Sequence, residues 1–102
     1  METVRFFVGM GFDKDNQPVM KAGEKLRECA EYLSALFGGC TVLDGSGYWK
    51  DERGMLVREP AIDFEIVTDK EHLLIEAATT LKRVFNQSAV LMTKQKVESA
   101  MV

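Results

Sequence analysis

Histidine, cysteine, proline and tryptophan are all scarce in this chain of 102 residues, which has one histidine, two cysteines, two prolines and one tryptophan. Cys29 and Cys40 are too few for a disulfide scaffold, so we expect two buried, reduced thiols. With His72 as the only histidine, the sequence has no zinc motif and no histidine paired with a nucleophile. We therefore expect no bound metal, no cofactor and no recognisable catalytic residue, and we lean against an enzyme.

Long apolar runs and a strong positive charge are also missing. No apolar run approaches the roughly 20 residues of a membrane helix, and the N-terminus lacks the pattern of a secretory signal. The formal net charge is −3, so no overall field attracts the protein to nucleic acid or to an anionic membrane. We expect a cytoplasmic protein that binds neither.

The remaining composition is that of a folded protein. Hydrophobic residues make up 46% and charged residues 28% of the chain, which is ordinary for a globular domain. The length predicts one domain over residues 1–102 that can bury enough surface for one core.

The N-terminal part predicts a strand followed by a helix. Residues 3–12 alternate as a strand does. Apolar residues then recur at steps of three and four over 18–37, which predicts a helix with Pro18 in its first turn. Gly38 and Gly39 predict the end of that helix.

A hairpin follows over residues 38–68. We predict a strand over 41–49, with a bulge or a close backbone approach at its two glycines, and a polar turn over 50–54. A long second strand follows, over 55–68. It places Ile62, Phe64 and Ile66 on one face and Asp63 and Glu65 on the other.

The last part predicts a second helix and a final strand. Thr68 followed by Glu71 resembles a capping box, which predicts a helix from there to Asn86. Residues 88–97 predict a strand whose Leu91 faces the helices and whose Val90, Met92 and Lys94 face away from them.

The order β-α-β-β-α-β predicts an α+β, ferredoxin-like split βαβ fold. Right-handed crossovers place both helices on one face of a four-stranded antiparallel sheet, with the first and third strands central. The predicted core comprises Val4, Phe6, Val8, Leu26, Leu33, Ile62, Phe64, Ile66, Leu81, Phe85 and Leu91.

The uncovered face of this sheet mixes charges with large apolar groups. We expect it to carry Arg5, Phe7, Asp63, Glu65, Val67, Val90, Met92 and Lys94. Such a patch usually marks an interaction surface, so we predict a homo-oligomer with opposite charges paired across strands or subunits. The alternative is a monomer whose charges solvate the sheet.

The hairpin carries a second group of candidate residues. Tyr48 and Trp49 are neighbours on a strand, so they point to opposite faces, and at most one of them enters the core. Arg53 and Arg58 flank the same turn, and arginine beside an aromatic ring suits a planar anion. These four residues are predicted to contact either a neighbouring subunit or a small anionic ligand.

The same hairpin resembles the PII-like superfamily, which includes the PII signalling proteins and the CutA cation-tolerance proteins. The resemblance lies in Cys40-Thr41-Val42, in Ser46-Gly47-Tyr48-Trp49-Lys50 and in Phe64-Glu65-Ile66-Val67. A CutA protein has Ser-x-Tyr-x-Trp, whereas Tyr48 and Trp49 are adjacent here. The tract TVLDGSGYWKDERGMLVRE is also similar to an uncharacterised bacterial family of unknown function. Both resemblances imply the same fold, and the PII-like one implies a trimer with ligand clefts between subunits. A dimer is the alternative assembly.

Three classes of function are then open. The first is a non-enzymatic oligomeric module, for example a regulatory one, that binds a small molecule or a protein through residues 45–58. The second is a small enzyme with an active site in a cavity between sheets or subunits. The third, a nucleic-acid-binding domain, is disfavoured because Asp63 and Glu65 would repel phosphate.

Overall fold

The computed structural model of this protein describes residues 1–102. The elements in chain order are β1 (Glu2–Gly9), α1 (Ala22–Phe37), β2 (Thr41–Lys50), β3 (Leu56–Thr68), a 3-10 turn (Glu71–Leu73), α2 (Leu74–Val84) and β4 (Leu91–Lys96). Neither helix has the length and apolar character of a membrane-spanning segment.

The four strands form one antiparallel sheet in the order β2-β3-β1-β4. This order confirms the predicted ferredoxin-like fold, in which β1 and β3 are central. We call the sheet surface that packs on α1 and α2 the helix side, and the opposite surface the open face.

The core fills the space between the helices and the sheet. Its twelve buried residues are Val4, Phe6, Val8, Cys29, Leu33, Ile62, Phe64, Ile66, Leu74, Ala77, Leu81 and Phe85. The rings of Phe64 and Phe85 lie 6.4 Å apart between centroids, so truncation of Phe64 to alanine should destabilise the fold by about 3–5 kcal/mol. Most residues of the predicted core belong to this buried set. Leu26 packs only at the edge of the core, however, and Leu91 is 63% exposed.

Strand β4 has the opposite facing from the one predicted. Phe6 pairs directly with Met92, and paired residues point to the same side of a sheet. Met92 and Val90 therefore pack against the core, Lys94 lies on the helix side, and Leu91 lies on the open face. A register shift of one residue exchanges the two faces of a strand, which is why all four assignments were wrong together.

Helix α1 begins later than predicted. Pro18 forms a bridge with Phe12, and the amide of Val19 donates to the carbonyl of Gly11. Lys21 then has a φ of 53°, in the left-handed region, so the helix cannot extend back to Pro18. The predicted end is correct, because Gly38 has a φ of 88° and donates to Ser34.

Helix α2 also begins later, because Thr68 does not act as its cap. Thr68 is the last residue of β3, and its hydroxyl accepts a hydrogen bond from the amide of Lys70 at 2.9 Å. The capping-box prediction was therefore wrong. Glu71 opens the 3-10 turn instead, and the helix proper starts at Leu74.

The β2–β3 hairpin is regular along its whole length. Pairing runs without a bulge from Thr41 opposite Glu65 to Lys50 opposite Leu56, so the predicted bulge is absent. Tyr48 and Trp49 point to opposite faces but are 60% and 51% exposed, respectively. The outer half of the hairpin is thus covered by neither the helices nor any other part of the chain.

Candidate functional site

The centre of the open face carries a cluster of three charged side chains. Nε of Arg5 lies 3.1 Å from Oδ2 of Asp63 and 3.1 Å from Oε2 of Glu65. The pairing of β1 with β3 sets this geometry, since Arg5 is directly opposite Glu65 and Phe7 is directly opposite Asp63. Of the predicted pairing of Arg5 and Lys94 with Asp63 and Glu65, the structure shows the part that involves Arg5.

Asp63 is unusually buried for a residue of an uncovered sheet face. It is only 8% exposed, and its Oδ1 atom accepts no hydrogen bond. Burial raises the pKa of the Asp63 carboxyl, while the nearby Arg5 guanidinium opposes that shift. A buried acceptor without a donor is unfavourable by about 1–3 kcal/mol, so this carboxylate is the least satisfied group of the open face.

Apolar side chains surround the charged cluster. Leu43, Val67 and Leu91 lie on the open face and are 45%, 41% and 63% exposed, respectively. The guanidinium carbon of Arg5 lies 5.6 Å from the centre of the Phe7 ring, close enough for a cation–π contact. Leu43 and Leu91 were missed from the sequence, although the alternation of β2 already placed Leu43 on this face.

Met92 and Lys94, also predicted on this face, lie elsewhere. Lys94 forms an ion pair with Glu71 on the helix side. Their hydrogen bond lowers the pKa of Glu71 and raises that of Lys94. The open face therefore has one cation for two carboxylates at its centre, rather than the balanced set that the sequence indicated.

Of the four hairpin candidates, only Tyr48 and Arg58 lie side by side. Tyr48 is directly opposite Arg58, whose guanidinium donates twice to the hydroxyl of Ser46, at 3.2 and 3.1 Å. Trp49 points to the other side of the hairpin. Arg53 lies in the turn, where its amide donates to Asp51.

Arg58 therefore has only a neutral partner, and it lines a cavity of 360 Å³ in the outer half of the hairpin. Gly45, Ser46, Glu59 and Pro60 complete its lining. A guanidinium with several free N–H groups is a good ligand for an anion. Arg58 is thus the strongest anion-binding candidate of the four.

The histidine and the two cysteines form no further candidate site. His72 is exposed in the 3-10 turn. Cys29 is buried and Cys40 half-buried, and both are free thiols. No group of three His, Cys, Asp or Glu side chains is arranged to hold a metal ion.

Comparison with known proteins identifies the fold. No protein-family model and no curated protein matches this sequence. Among solved structures, a phage SAM lyase in complex with S-methyl-5'-thioadenosine is 20% identical, with a TM-score of 0.69 over 93% of this chain and 80% of that chain. CutA1 from Pyrococcus horikoshii is 13% identical, with a TM-score of 0.64 over 99% of this chain and 87% of that chain.

A third neighbour, a DUF3240 family protein from Shewanella baltica, is 9% identical, with a TM-score of 0.54 over 99% of this chain and 94% of that chain. Likeness to CutA supports the predicted ferredoxin-like fold. An enzyme and cation-tolerance proteins share this architecture, so the fold by itself does not select a function.

Proposed function

We propose that this protein is a homo-oligomeric module that buries its open face and hairpin between subunits and binds a small anion beside Arg58 of the hairpin. The observation that carries the proposal is the set of large apolar side chains left in water on these two surfaces. On the open face they are Leu43, Val67 and Leu91, and on the outer half of the hairpin they are Tyr48, Trp49, Met55 and Leu56. Exposed apolar side chains that are grouped in this way usually mark an interface.

The charges of the open face support burial between subunits. Arg5 uses only its Nε atom within the protomer, so its terminal N–H groups are free to pair with an acid of a neighbouring copy. Paired charges inside an apolar rim give an interface specificity in register and orientation.

The resemblance to the PII-like superfamily implies three subunits, and we propose a trimer. The two reduced thiols are consistent with a cytoplasmic protein.

The ligand is proposed to bind where Tyr48 and Arg58 meet. The ring of Tyr48 offers a stacking surface, and the guanidinium of Arg58 offers donors that only Ser46 uses. An anionic ligand with a planar part would engage both groups. A protein partner with an acidic side chain is the alternative occupant of the same hairpin surface.

Variants of exposed apolar residues test the oligomer. Trp49→Ser and Leu91→Ser remove one apolar group from each proposed contact surface. Ile75→Ser is the matched control, because Ile75 is 70% exposed but lies on α2. We expect sedimentation velocity to show dissociation at micromolar concentration for the first two variants only. If all three variants dissociate to the same extent, or none dissociates, the proposed interface is wrong.

A second candidate function is a small enzyme with its active site at the subunit interface. Two observations favour it: the solved neighbour that is a SAM lyase with bound S-methyl-5'-thioadenosine, and the buried Asp63 carboxyl beside a cavity of the open face. A carboxyl group with a raised pKa is suited to acid–base work. Incubation with SAM, followed by chromatography for S-methyl-5'-thioadenosine, tests this candidate, with Asp63→Asn as the control.

A further inference from the structure

A cleft of 430 Å³ separates the first turn of α1 from the β2–β3 hairpin. Its apolar lining includes Met10, Leu26 and Ile62. Ile62 belongs to the core, and Met10 and Leu26 are only partly buried against it, so the cleft is on the helix side of the sheet. We call this space the α1 cleft. It lies on the opposite side of the sheet from the open face that the proposed oligomer buries.

The helix wall of the α1 cleft lacks a side chain at Gly23. This residue is one turn before Leu26 on the same face of the helix. A Cβ atom added to it would meet no atom within 4 Å. The backbone does not require glycine there, because the φ of Gly23 is not positive. The missing side chain leaves room for an apolar group of a ligand.

The α1 cleft continues into the cavity that Arg58 lines. Gly45 and Pro60 line both spaces, so the two meet along the hairpin. Their volumes are 430 and 360 Å³, and ligand pockets usually measure about 300–1,000 Å³. The combined space can hold a small molecule.

Two opposite charges lie beside this junction without pairing. Asp44 is directly opposite Ile62 and Ser46 is directly opposite Pro60, so both are on the helix side, about 7 Å apart along β2. The guanidinium of Arg58 lies against Ser46, to which it donates at 3.2 and 3.1 Å. Neither Asp44 nor Arg58 forms an ion pair with the other or with any other residue. Each charge is therefore free to meet a ligand.

Glu59, the acid that also lines the Arg58 cavity, is directed elsewhere. It follows Arg58 on β3, so its side chain points to the other face of the strand. Cβ atoms added to Gly9 and Gly11 would lie 2.8 and 3.0 Å from its Oε1 and Oε2 atoms, respectively. Its carboxylate lies against these glycines and leaves the guanidinium of Arg58 free.

We propose that the α1 cleft and the Arg58 cavity together bind an α-amino acid with an apolar side chain. Its carboxylate accepts from Arg58, its ammonium group donates to Asp44, and its side chain lies beside Gly23. One carbon atom separates the two charged groups of such a ligand. With a hydrogen bond of about 2.9 Å at each end, the ligand spans the step of about 7 Å between Asp44 and Ser46.

This site rests on the anion site proposed at Arg58 and adds the class of its ligand. A ligand that is only an anion would place its charge beside the unpaired carboxylate of Asp44, which repels it. A zwitterion satisfies both charges at once. The apolar lining of the α1 cleft then favours a hydrophobic side chain over a polar one.

L-Leucine is the probe for this site, and two analogues are its matched controls. 4-Methylpentanoate is leucine without the ammonium group, and 3-methylbutylamine is leucine without the carboxylate. We titrate each into ¹⁵N-labelled full-length protein at pH 7. Leucine should cause saturable amide shifts centred on Gly23, Asp44 and Ser46. Each analogue should bind at least about tenfold more weakly, because it leaves one protein charge without its partner.

Three variants locate the ligand. Asp44→Asn and Arg58→Gln should each raise the dissociation constant of leucine at least about tenfold, and Gly23→Leu should abolish binding because its side chain fills the cleft. All three residues are exposed, so the fold should be retained. Asp69→Asn is the control, because Asp69 is an exposed acid beyond the other end of β3. It should leave the dissociation constant unchanged.

Three results would overturn the proposal: an absence of saturable leucine binding, equal affinity of wild type for 4-methylpentanoate, or unchanged affinity in Asp44→Asn. If both ligands bind equally and Arg58→Gln abolishes both, the amino acid is wrong and the anion site stands. If leucine binds equally to Arg58→Gln, both are wrong. The molar mass of the same samples is measured in parallel. Specific leucine binding to a monomer would refute the homo-oligomer and support the site.

Discussion

Arg5 forms an ion pair with only one of the two carboxylate oxygens of Asp63. Nε of Arg5 lies 3.1 Å from Oδ2 of Asp63, whereas Oδ1 of the same buried carboxyl group has no donor. Glu65 shares the same Nε atom at 3.1 Å. The charges at the centre of the open face are therefore not balanced, and the stability of the fold should depend on this pair.

Replacement of Arg5 by methionine should destabilise the protein by about 1–2 kcal/mol, because it leaves Asp63 buried beside Glu65 without a cation. The loss is smaller than for a fully buried pair, because the Arg5 side chain is 45% exposed and water screens it. Arg27→Met is the matched control, since Arg27 pairs with Glu31 on the solvated face of α1. Its effect should stay within about 0.5 kcal/mol. Urea unfolding measures both, and equal effects would contradict the role of Arg5.

Asp63 should also leave a signature in the pH dependence of stability. Its pKa is raised above the ordinary value of 3.8, so the folded state holds a proton that the unfolded state releases. The stability from this group is present at low pH and is lost as pH rises through the raised pKa. Asp63→Asn should therefore gain stability relative to wild type as pH rises through that range. The pKa values of Glu71 and Asp13 are lowered, so these groups change the free energy of unfolding with pH in the opposite sense. Their contribution is the same in wild type and Asp63→Asn, and it cancels when the two proteins are compared. Urea titrations at a series of pH values test this, and a constant difference would contradict it.

The two thiols should differ sharply in reactivity. Cys29 is buried in the core, and burial raises the pKa of its thiol to about 12. The pKa of Cys40, which is half-buried at the end of α1, is raised less. Because the thiolate is the reactive form, a thiol reagent should modify Cys40 slowly in the native protein and Cys29 only after unfolding. A Cys40→Ser variant that reacts rapidly without denaturant would show that the core around Cys29 opens.

The hairpin should bind anions through Arg58. In a thermal-shift screen with nucleotides and inorganic anions, a ligand at 100 times its dissociation constant stabilises the protein by about 2.7 kcal/mol. That corresponds to a rise of several degrees in melting temperature for a chain of this size. Arg58→Gln should abolish the shift, and Arg27→Gln should not. A shift that persists in Arg58→Gln would place the anion elsewhere.

Much of the fold could be predicted because β1 and β3 alternate strongly. In β3, Asp63 and Glu65 separate Ile62, Phe64 and Ile66, and in β1 Arg5 separates Val4 from Phe6. The facing of Arg5, Asp63 and Glu65 therefore followed directly. Strand β4 has no such alternation, because Ala89, Val90, Leu91 and Met92 form one apolar run. Only its pairing with β1 determines which side each residue takes.

The helix starts were predicted less well, for a related reason. Pro18 and Thr68 are residues that commonly begin helices, but here each has another local partner. Pro18 bridges to Phe12, and Thr68 accepts from Lys70.

The molar mass of the wild-type protein, measured by multi-angle light scattering across a series of micromolar concentrations, tests the central proposal most directly. The protomer mass is 11.5 kDa, and we predict a stable species of three times 11.5 kDa. Trp49→Ser should reduce this mass and Ile75→Ser should not. A constant mass of one protomer, 11.5 kDa, at every concentration would contradict the account.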